Sequence, residues 1–264
     1  MPGDPLPGAP RRFAELRHPQ VRQRIGPGST FVLPLGAIEQ HGPHLPLVTD
    51  LLIASAAAER VMADRGEELD LWLLEPLAYT KSNEHAHFAG SITLDPATLL
   101  SVVDAVGRAV AATGARRLVF LNGHGGNTTL LNVACREVRL AHGLMTFVVH
   151  PAVPPDHGGS SAGGELGMGV HGGLFETSLV LHLRPDLVDM SLATRNVPEW
   201  LAHNRHVRFG GAVSFGWLAD DFGPDGHIGD PTGATAQLGA ELFDEAVRRL
   251  GEQLVEIAGF TFDR

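Results

Sequence analysis

The sequence predicts a single α/β domain, in which a mostly parallel sheet is covered by helices on both faces. Short apolar segments alternate along the chain with segments of helical periodicity, as in successive βαβ units. The 264 residues are enough for one large domain, and no internal repeat or long linker divides them. The segment RRLVFLN at 116–122 is an apolar run between turn residues, which is typical of a central parallel strand.

Each further element has a local signal. Other strands are predicted at 30–36, at 145–151 and at 71–80, the last leading into a loop. Helices are predicted at 50–66, 95–114, 128–142, 176–183 and 232–259. Asp50 and Asn127 are candidate N-caps, Pro96 suits a first helical position, and Gly66 and Gly114 suit helix ends. The glycine-rich segment 157–173 is predicted to be a loop.

The last predicted helix is amphipathic. Its apolar face carries Leu242, Ala246, Leu250, Leu254 and Ile257. Glu245 and Arg249 are spaced for an i,i+4 ion pair on the exposed side.

The beginning of the chain differs in composition from the rest. The segment MPGDPLPGAPRR is rich in Pro and Gly and has no apolar core of a signal peptide. We therefore expect residues 1–28 to be a flexible tail and lead-in, and residues 29–264 to form the domain. The apolar run at 51–58 is too short to span a bilayer.

Charge and cysteine content limit the partners and the compartment. The formal net charge of −10 argues against a nucleic acid or an anionic membrane as the main partner. The single cysteine, Cys135, cannot form an internal disulfide, which fits a reducing cytosol. We expect a cytoplasmic protein, with Cys135 packed as a small hydrophobic residue on the apolar side of a helix.

The first polar cluster follows the predicted strand 30–36, in the segment GAIEQHGPHLPLVTD. Glu39 and His41 are two residues apart, so an extended backbone projects both to the same side. Asp50 follows nine residues after His41, and its two carboxylate oxygens can bridge two cations. Carboxylates and imidazoles together are usual ligands of zinc, manganese or iron. Alternatively, Asp50 is only a helix cap and His41 only a loop residue.

The second polar cluster, NGHGGN at 122–127, follows the strand 116–122. Its glycines permit a tight turn with His124 at the tip. A phosphate-binding loop is the alternative, but the G-x-G-x-x-G spacing and a P-loop lysine are both missing, which favours a metal. Both clusters follow strands of a parallel sheet, so we expect them at the same edge.

Two other segments carry candidate residues. HGGLFETS places His171 and Glu176 at a junction between glycines and a helix, where Glu176 could also serve only as a first-turn acid. SNEHAHFAGSITL carries Glu84, His85 and His87 before a turn at Gly90; these residues line a pocket or lie on the surface. The isolated residues His150, His182, His203 and His206 are not expected to be ligands. There is no C-x-x-C pair, which argues against a zinc knuckle.

Taken together, GAIEQHGPHLPLVTD, SNEHAHFAGSITL, NGHGGN, HGGLFETS and GDPTGAT resemble the creatininase (creatinine amidohydrolase) family, from about residue 29 to residue 258. The resemblance implies a three-layer α/β/α sandwich and a metal-dependent hydrolase of amide C–N bonds other than ordinary peptide bonds. It also implies a homo-oligomer, often a hexamer.

The resemblance also implies a site with two divalent metal ions, with zinc as the first choice and manganese or iron as alternatives. Glu39, Asp50 and His124 match the first metal site. His41 and Asp50 match the second, with Asp50 bridging. The family's founding member has a carboxylate ligand where this chain has Gly126, and Glu176 is the candidate replacement. If Glu176 does not reach, the site is mononuclear.

The remaining roles are hypotheses about the same site. His171 is the candidate general acid, with Glu176 also assigned to the catalytic group. Glu84, His85 and Asn127 are candidate substrate-pocket residues, and His44 either orients a neighbouring group or lines the pocket.

The predicted activity is cleavage of an amide, a cyclic amide or a formamide in a small molecule by metal-activated water. Within the family, creatinine hydrolysis, formamide hydrolysis in a flavin-related route and trimming of a mycofactocin precursor peptide all remain open. In a different class, the chain would be a non-catalytic metal-binding or nucleotide-binding module.

Overall fold

Four parallel strands form one sheet in the order β2-β1-β3-β4. They are β1 (Thr30–Leu35), β2 (Leu71–Leu73), β3 (Arg117–Asn122) and β4 (Met145–Val149). The computed structural model describes residues 11–151, 159, 161 and 164–262. In it, the two central strands β1 and β3 pair from Thr30 opposite Arg117 to Leu35 opposite Asn122, and every residue of both is buried. This confirms the predicted parallel sheet.

The outer strands are shorter than predicted. β2 ends at Leu73 rather than leading on towards residue 80, and β4 ends at Val149 rather than at 151. Pro76 has no N–H to donate, which disfavours continuous pairing beyond β2. The chain rejoins the sheet only at Leu77, which forms an isolated bridge with Leu35.

The helices lie close to the predicted positions. They are α1 (His18–Arg24), α2 (Thr49–Arg65), α3 (Pro96–Ala112), α4 (Thr128–His142), α5 (Leu174–Leu183), α6 (Glu199–Ala202) and α7 (Ala236–Gly259). The last helix was predicted to begin at 232, but Pro231–Gly233 form a 3-10 turn. Thr235 then caps α7 by accepting a hydrogen bond from the N–H of Leu238.

Alternation along the strands builds the three layers. Val32 and Val119 face a core formed with α2, α5 and α7. Phe31, Leu33 and Phe120 face the opposite core, formed with α3 and α4. The structure is therefore an α/β/α sandwich, as predicted, because successive strand residues point to opposite faces and both faces are apolar.

The segment before β1 packs against this sandwich. A 3-10 turn, Phe13–Glu15, precedes α1, and Phe13, Leu16 and Val21 pack on the core beside α3 and α4. The ring of Phe13 meets the ring of Phe31 edge-on, with centroids 5.1 Å apart. The segment expected to be a flexible lead-in up to residue 28 therefore uses apolar side chains for packing from Phe13 onward. Residues 1–10 lie outside the described residues.

One predicted cap is wrong, and the other is confirmed in position only. Val48 occupies the N-cap position of α2, and Asp50 lies within the first turn. Asn127 occupies the N-cap position of α4, but its side chain makes no capping hydrogen bond. Both side chains are instead engaged by the loops at the strand ends, so residue types that favour a cap are used here for tertiary contacts.

The surface of α7 also differs in detail. Arg248, rather than Arg249, forms the ion pair with Glu245, at 2.7 Å, and it also reaches Glu252 at 2.6 Å. Leu250, Leu254 and Ile257 are buried as predicted. Leu242 and Ala246 are only half-buried, because the buried face is shifted towards Phe243 and Val247. Cys135 on α4 is half-buried and packs against the core beneath it.

A small third core covers the strand ends. Val197, Leu201, Phe209, Phe222 and Ile228 pack together in the long connection between α5 and α7, which has only short helical turns. The described residues of the segment 157–173 are irregular, as predicted, and the rest of that segment lies outside the described part. Among the described residues, no helix is both long and apolar enough to cross a membrane.

Candidate metal centre

The strand order creates a gap at the carboxyl ends of β1 and β3. From β1 the chain passes through α2 on one face, and from β3 it passes through α4 on the other face. Neighbouring strands whose connections leave to opposite faces open a crevice between their ends. The loop after β1 carries Glu39 and His41, the loop after β3 carries His124, and the first turn of α2 carries Asp50.

The first group of possible ligands is Glu39, Asp50 and His124, with ligand atoms within 4.8 Å of one another. Nδ1 of His124 lies 3.0 Å from Oδ2 of Asp50 and 3.3 Å from Oε1 of Glu39. All three side chains are buried. The structure thus brings together the three residues expected to form the first metal site.

The second group is His41, Asp50 and Glu176, and it meets the same 4.8 Å limit. Nε2 of His41 lies 3.0 Å from Oδ1 of Asp50 and 4.0 Å from Oε2 of Glu176. Glu176 lies in the first turn of α5, where it also accepts a 2.6 Å hydrogen bond from the N–H of Gly172. Glu176 therefore reaches the centre, and Asp50 offers a different oxygen to each group.

The environment of Glu39 fits a cation. Oε1 of this buried carboxylate is surrounded by ring nitrogens of His124 at 3.3 Å, His85 at 3.4 Å, His171 at 3.8 Å and His41 at 4.0 Å. Among the described residues, neither of its oxygens has a hydrogen-bond donor in suitable geometry. A buried carboxylate without a donor is costly unless a charge compensates it. The nitrogen and oxygen donors around it are those of a zinc, manganese or iron site.

The imidazole of His124 is oriented for this role. Its Nε2 lies 2.9 Å from the carbonyl oxygen of Lys81. A carbonyl can only accept, so Nε2 carries the hydrogen and the lone pair of Nδ1 faces Glu39 and Asp50 in the neutral ring. Metal-binding histidines commonly use their second ring nitrogen in this way.

Three imidazole rings stack beside the centre. The ring of His171 lies between those of His41 and His85, with a centroid distance of 4.2 Å to each. Nε2 of His171 donates to the carbonyl oxygen of Gln40 at 2.6 Å. Nδ1 of His171 is then the nitrogen that faces the centre. Burial and the neighbouring His41 and His85 hold the pKa of His171 well below its usual value.

The ligand groups influence one another's protonation. Burial alone would lower the pKa of His41, but the charge of Asp50, its hydrogen bond and the carboxylates of Glu176 and Glu39 raise it to about 10. Burial would raise the pKa of Asp50, but His41 and His124 hold it below its usual range. Burial raises the pKa of Glu176 to about 7, although His41 acts in the opposite direction. Without cations, protonated imidazoles compensate the carboxylates of the centre.

A cavity of about 570 Å³ opens onto these groups. Glu84 and His85, two of the predicted pocket residues, line it together with His171 and Glu176. His87, of the same segment, is exposed and pairs with Asp220 at 3.0 Å.

His44 and Asn127 are not among the residues that line the cavity. Both side chains are instead buried in contacts with neighbouring loops. His44 donates from Nε2 to the carbonyl oxygen of Gly172 at 3.1 Å, and burial, with the nearby His227, lowers its pKa to about 4. Asn127 donates to Thr80 at 3.1 Å.

Several residues of the site were missed in the sequence. Lys81, Phe175, Phe215, Trp217 and Leu218 line the cavity. Trp217 meets the ring of His85 at 6.1 Å, edge to face. Lys81 immediately precedes the SNEHAHFAGSITL segment, and this position could have indicated that Lys81 belongs to the site. Phe215 and Trp217 lie in a connection without regular structure, where no periodicity indicates which side chains point inward.

Comparison with known proteins agrees with this geometry. The sequence profile of the creatininase family, described as creatinine amidohydrolase, matches residues 14–254. The chain belongs to the creatininase family. Its fold and its class, a hydrolase acting on carbon–nitrogen bonds other than peptide bonds, are those of the family.

Two relatives of this creatininase-family chain carry different names. A mycofactocin precursor peptide peptidase of Mycobacterium ulcerans (strain Agy99) is 38% identical over 224 residues, which cover 83% of this chain and 81% of the relative. A creatinine amidohydrolase of Pseudomonas putida is 36% identical over 204 residues, covering 70% and 76%.

Solved creatininase structures match as well. A mutant creatininase of Zn–Zn type superposes with a TM-score of 0.71 at 26% identity, covering 94% of this chain and 98% of the other. A creatininase described with Mn gives 0.71 at 27% identity, covering 94% and 99%. Creatininases therefore bind divalent metals, and this chain has groups of residues able to do so.

Proposed function

We propose that this chain is an amidohydrolase that uses two divalent cations bridged by Asp50. Glu39, Asp50 and His124 would hold one cation, and His41, Asp50 and Glu176 the other. The strongest support is that two groups of possible ligands share Asp50. Within each group, the ligand atoms lie within 4.8 Å of one another. Glu176 supplies the second group with a carboxylate although position 126 is glycine. This supports a dinuclear rather than a mononuclear centre.

Two such cations lower the pKa of a water molecule and polarise the carbonyl of an amide. The mixed imidazole and carboxylate donors suit zinc first, and manganese or iron also fit. Asp50 and Glu39 are buried, so their carboxylates can balance the positive charge without solvent. The cavity wall formed by Phe175 and Trp217 excludes part of the solvent from the same space.

We assign the proton transfer to His171. The hydrogen bond from its Nε2 to the Gln40 carbonyl leaves Nδ1, the nitrogen that faces Glu39, as the atom that exchanges a proton with the reactants. The neutral ring can take a proton at Nδ1 from the attacking water and deliver it to the leaving nitrogen. His171 thereby acts as the general acid in the second half of the reaction. The charge on His41 must fall for this to occur, which ligation of a cation would achieve.

The substrate is an amide C–N bond in a cyclic amide, a formamide or another small molecule. A second candidate is the trimming of a mycofactocin precursor peptide, as in the M. ulcerans relative named for that activity. The observation that favours it is a cavity of about 570 Å³ with Phe215 and Trp217 on its wall, which gives room and apolar surface for peptide side chains.

The experiment is metal analysis of the purified protein, followed by a substrate screen with that metal restored. The screen contains creatinine and other cyclic ureas, formamides and short peptides. Hydrolysis that chelation abolishes and the same metal restores would support the proposal. Bound metal without hydrolysis of any substrate would favour a non-catalytic metal-binding or nucleotide-binding module.

We further propose a cytoplasmic homo-oligomer, with a hexamer expected from the family resemblance. The single Cys135 and the net charge of −10 support the location and the absence of a nucleic-acid or membrane partner. Sedimentation velocity of the metal-loaded protein measures the oligomer, and a monomer would contradict the expectation.

A further inference from the structure

Gly126 lies directly beside two side chains of the candidate metal centre. A Cβ atom built at this position would lie 1.9 Å from Oε1 of Glu84 and 2.4 Å from Nε2 of His124. Real Cβ atoms essentially never approach other atoms this closely. The φ angle of Gly126 is not in the left-handed region, so its backbone conformation does not require glycine. Space, rather than backbone strain, therefore accounts for the glycine.

Glu84 occupies the space that a side chain at 126 would need. One carboxylate oxygen lies 3.5 Å from Nε2 of His124, and the other accepts a 2.6 Å hydrogen bond from Nζ of Lys81. The Glu84 side chain is only 10% exposed. Its carboxylate is thus held between an ammonium group and the ring of a candidate metal ligand.

The two nitrogens of His124 have separate surroundings. Nδ1 faces Glu39 and Asp50, whereas Nε2 faces the carbonyl oxygen of Lys81 and the carboxylate of Glu84. Both groups near Nε2 are acceptors, so both favour a hydrogen there and a lone pair on Nδ1. A carboxylate beside the second nitrogen also increases the basicity of a ligating imidazole.

We propose that Glu84 is a positioning residue for His124, and that the missing side chain at Gly126 is what admits its carboxylate. This inference rests on the proposed metal site. It assigns to Glu84 a role in orienting a ligand, in place of direct contact with the substrate. Lys81 fixes the carboxylate from the opposite side.

The test starts from the metal-free protein and measures its affinity for each of the two equivalents of zinc by competition with a chelator. Glu84→Gln keeps the shape of the side chain and removes its charge. We expect one of the two equivalents to bind roughly 10- to 100-fold more weakly. The unfolding temperature of the metal-free protein should fall only slightly, through loss of the ion pair with Lys81. Glu256→Gln, the same substitution at an exposed position on α7 away from the cavity, is the matched control and should leave both affinities unchanged.

Gly126→Ala provides a second, independent variant. Its methyl group should displace Glu84 or His124 and weaken the same equivalent. In Glu84→Ala/Gly126→Ala the loss of affinity should be smaller than the sum of the losses in Glu84→Ala and in Gly126→Ala, because both changes act through the ring of His124. In the cobalt-substituted protein, the visible absorption spectrum should shift in both single variants, since the ligand field at His124 changes.

The possible failures are distinguishable. A wild-type protein that does not bind two equivalents would contradict the proposed function itself. A second outcome is that the wild-type protein binds two equivalents of zinc while Glu84→Gln keeps the same zinc affinity and differs only in KM. This result would overturn the inference about Glu84 but not the proposed function, and it would indicate that Glu84 contacts the substrate. A large drop in the unfolding temperature of metal-free Glu84→Gln would make its role structural, as would additive losses in the double variant.

Discussion

Replacing Glu176 by glutamine tests whether this carboxylate completes the second metal site. The substitution keeps the side-chain shape and leaves an oxygen that can still accept from the N–H of Gly172, which Glu176 contacts at 2.6 Å. It removes a negative charge whose Oε2 lies 4.0 Å from Nε2 of His41. The change therefore removes charge from the position where the second cation would be held.

The magnitude follows from this distance. A unit positive charge 4 Å from a carboxylate gains about 4 kcal/mol at an effective dielectric constant of about 20, and a divalent cation gains more, so this value is a lower bound. Each 1.4 kcal/mol is about tenfold in affinity, so we expect Glu176→Gln to bind the second equivalent at least about a thousandfold more weakly. The first equivalent, held by Glu39, Asp50 and His124, should remain bound.

The assay is metal content after dialysis against a chelator that the wild-type protein withstands. The wild-type protein should retain two equivalents and Glu176→Gln one, with a corresponding loss of activity. Glu256→Gln, an exposed substitution on α7, is the control and should retain two. Two tightly held equivalents in Glu176→Gln would refute the assignment of this residue and the reasoning from charge.

Other predictions concern the bridge, the proton, pH and the cavity wall. Asp50→Asn should lose both equivalents in the same metal assay, and retention of either would contradict the bridging role. His171→Asn should keep both metals while kcat falls by roughly 10²- to 10⁴-fold, and full activity would exclude its role in proton transfer. Cation binding at the second site displaces the proton of His41, whose pKa is raised to about 10. The affinity of this site for the cation should therefore rise about tenfold per pH unit between pH 7 and pH 10. Below about pH 7, where Glu176 is also protonated, the affinity should change more steeply with pH. Calorimetry in buffers of different ionisation enthalpy counts the protons released on binding. Trp217→Ala should raise KM for peptides by roughly 10- to 100-fold and leave metal binding unchanged.

The fold was predictable because its signals are local. The apolar runs of β1 and β3 and the periodicity of α3, α4 and α7 identify these elements without knowledge of their partners. The ligand groups were predictable for a related reason. Parallel strands end at one edge, so residues that follow β1 and β3 meet there whatever their separation in sequence.

The remaining features depend on contacts that sequence spacing does not report. Asp50 and Asn127 are good capping residues, and a local pattern cannot show that their side chains turn towards neighbouring loops instead. Glu84 lies beside a histidine forty positions away in the chain, and only the folded structure shows that Gly126 makes room for it. Trp217 lies in a connection held by irregular packing, so its place on the cavity has no periodic signal.

A crystal structure of the zinc-loaded protein, with anomalous differences collected at the zinc absorption edge, tests the proposed dinuclear centre directly. We expect two anomalous peaks in the cavity. One should be bound by Glu39 and His124, the other by His41 and Glu176, with the carboxylate of Asp50 shared by both. A single peak, or a pair of peaks that does not share Asp50, would contradict this expectation.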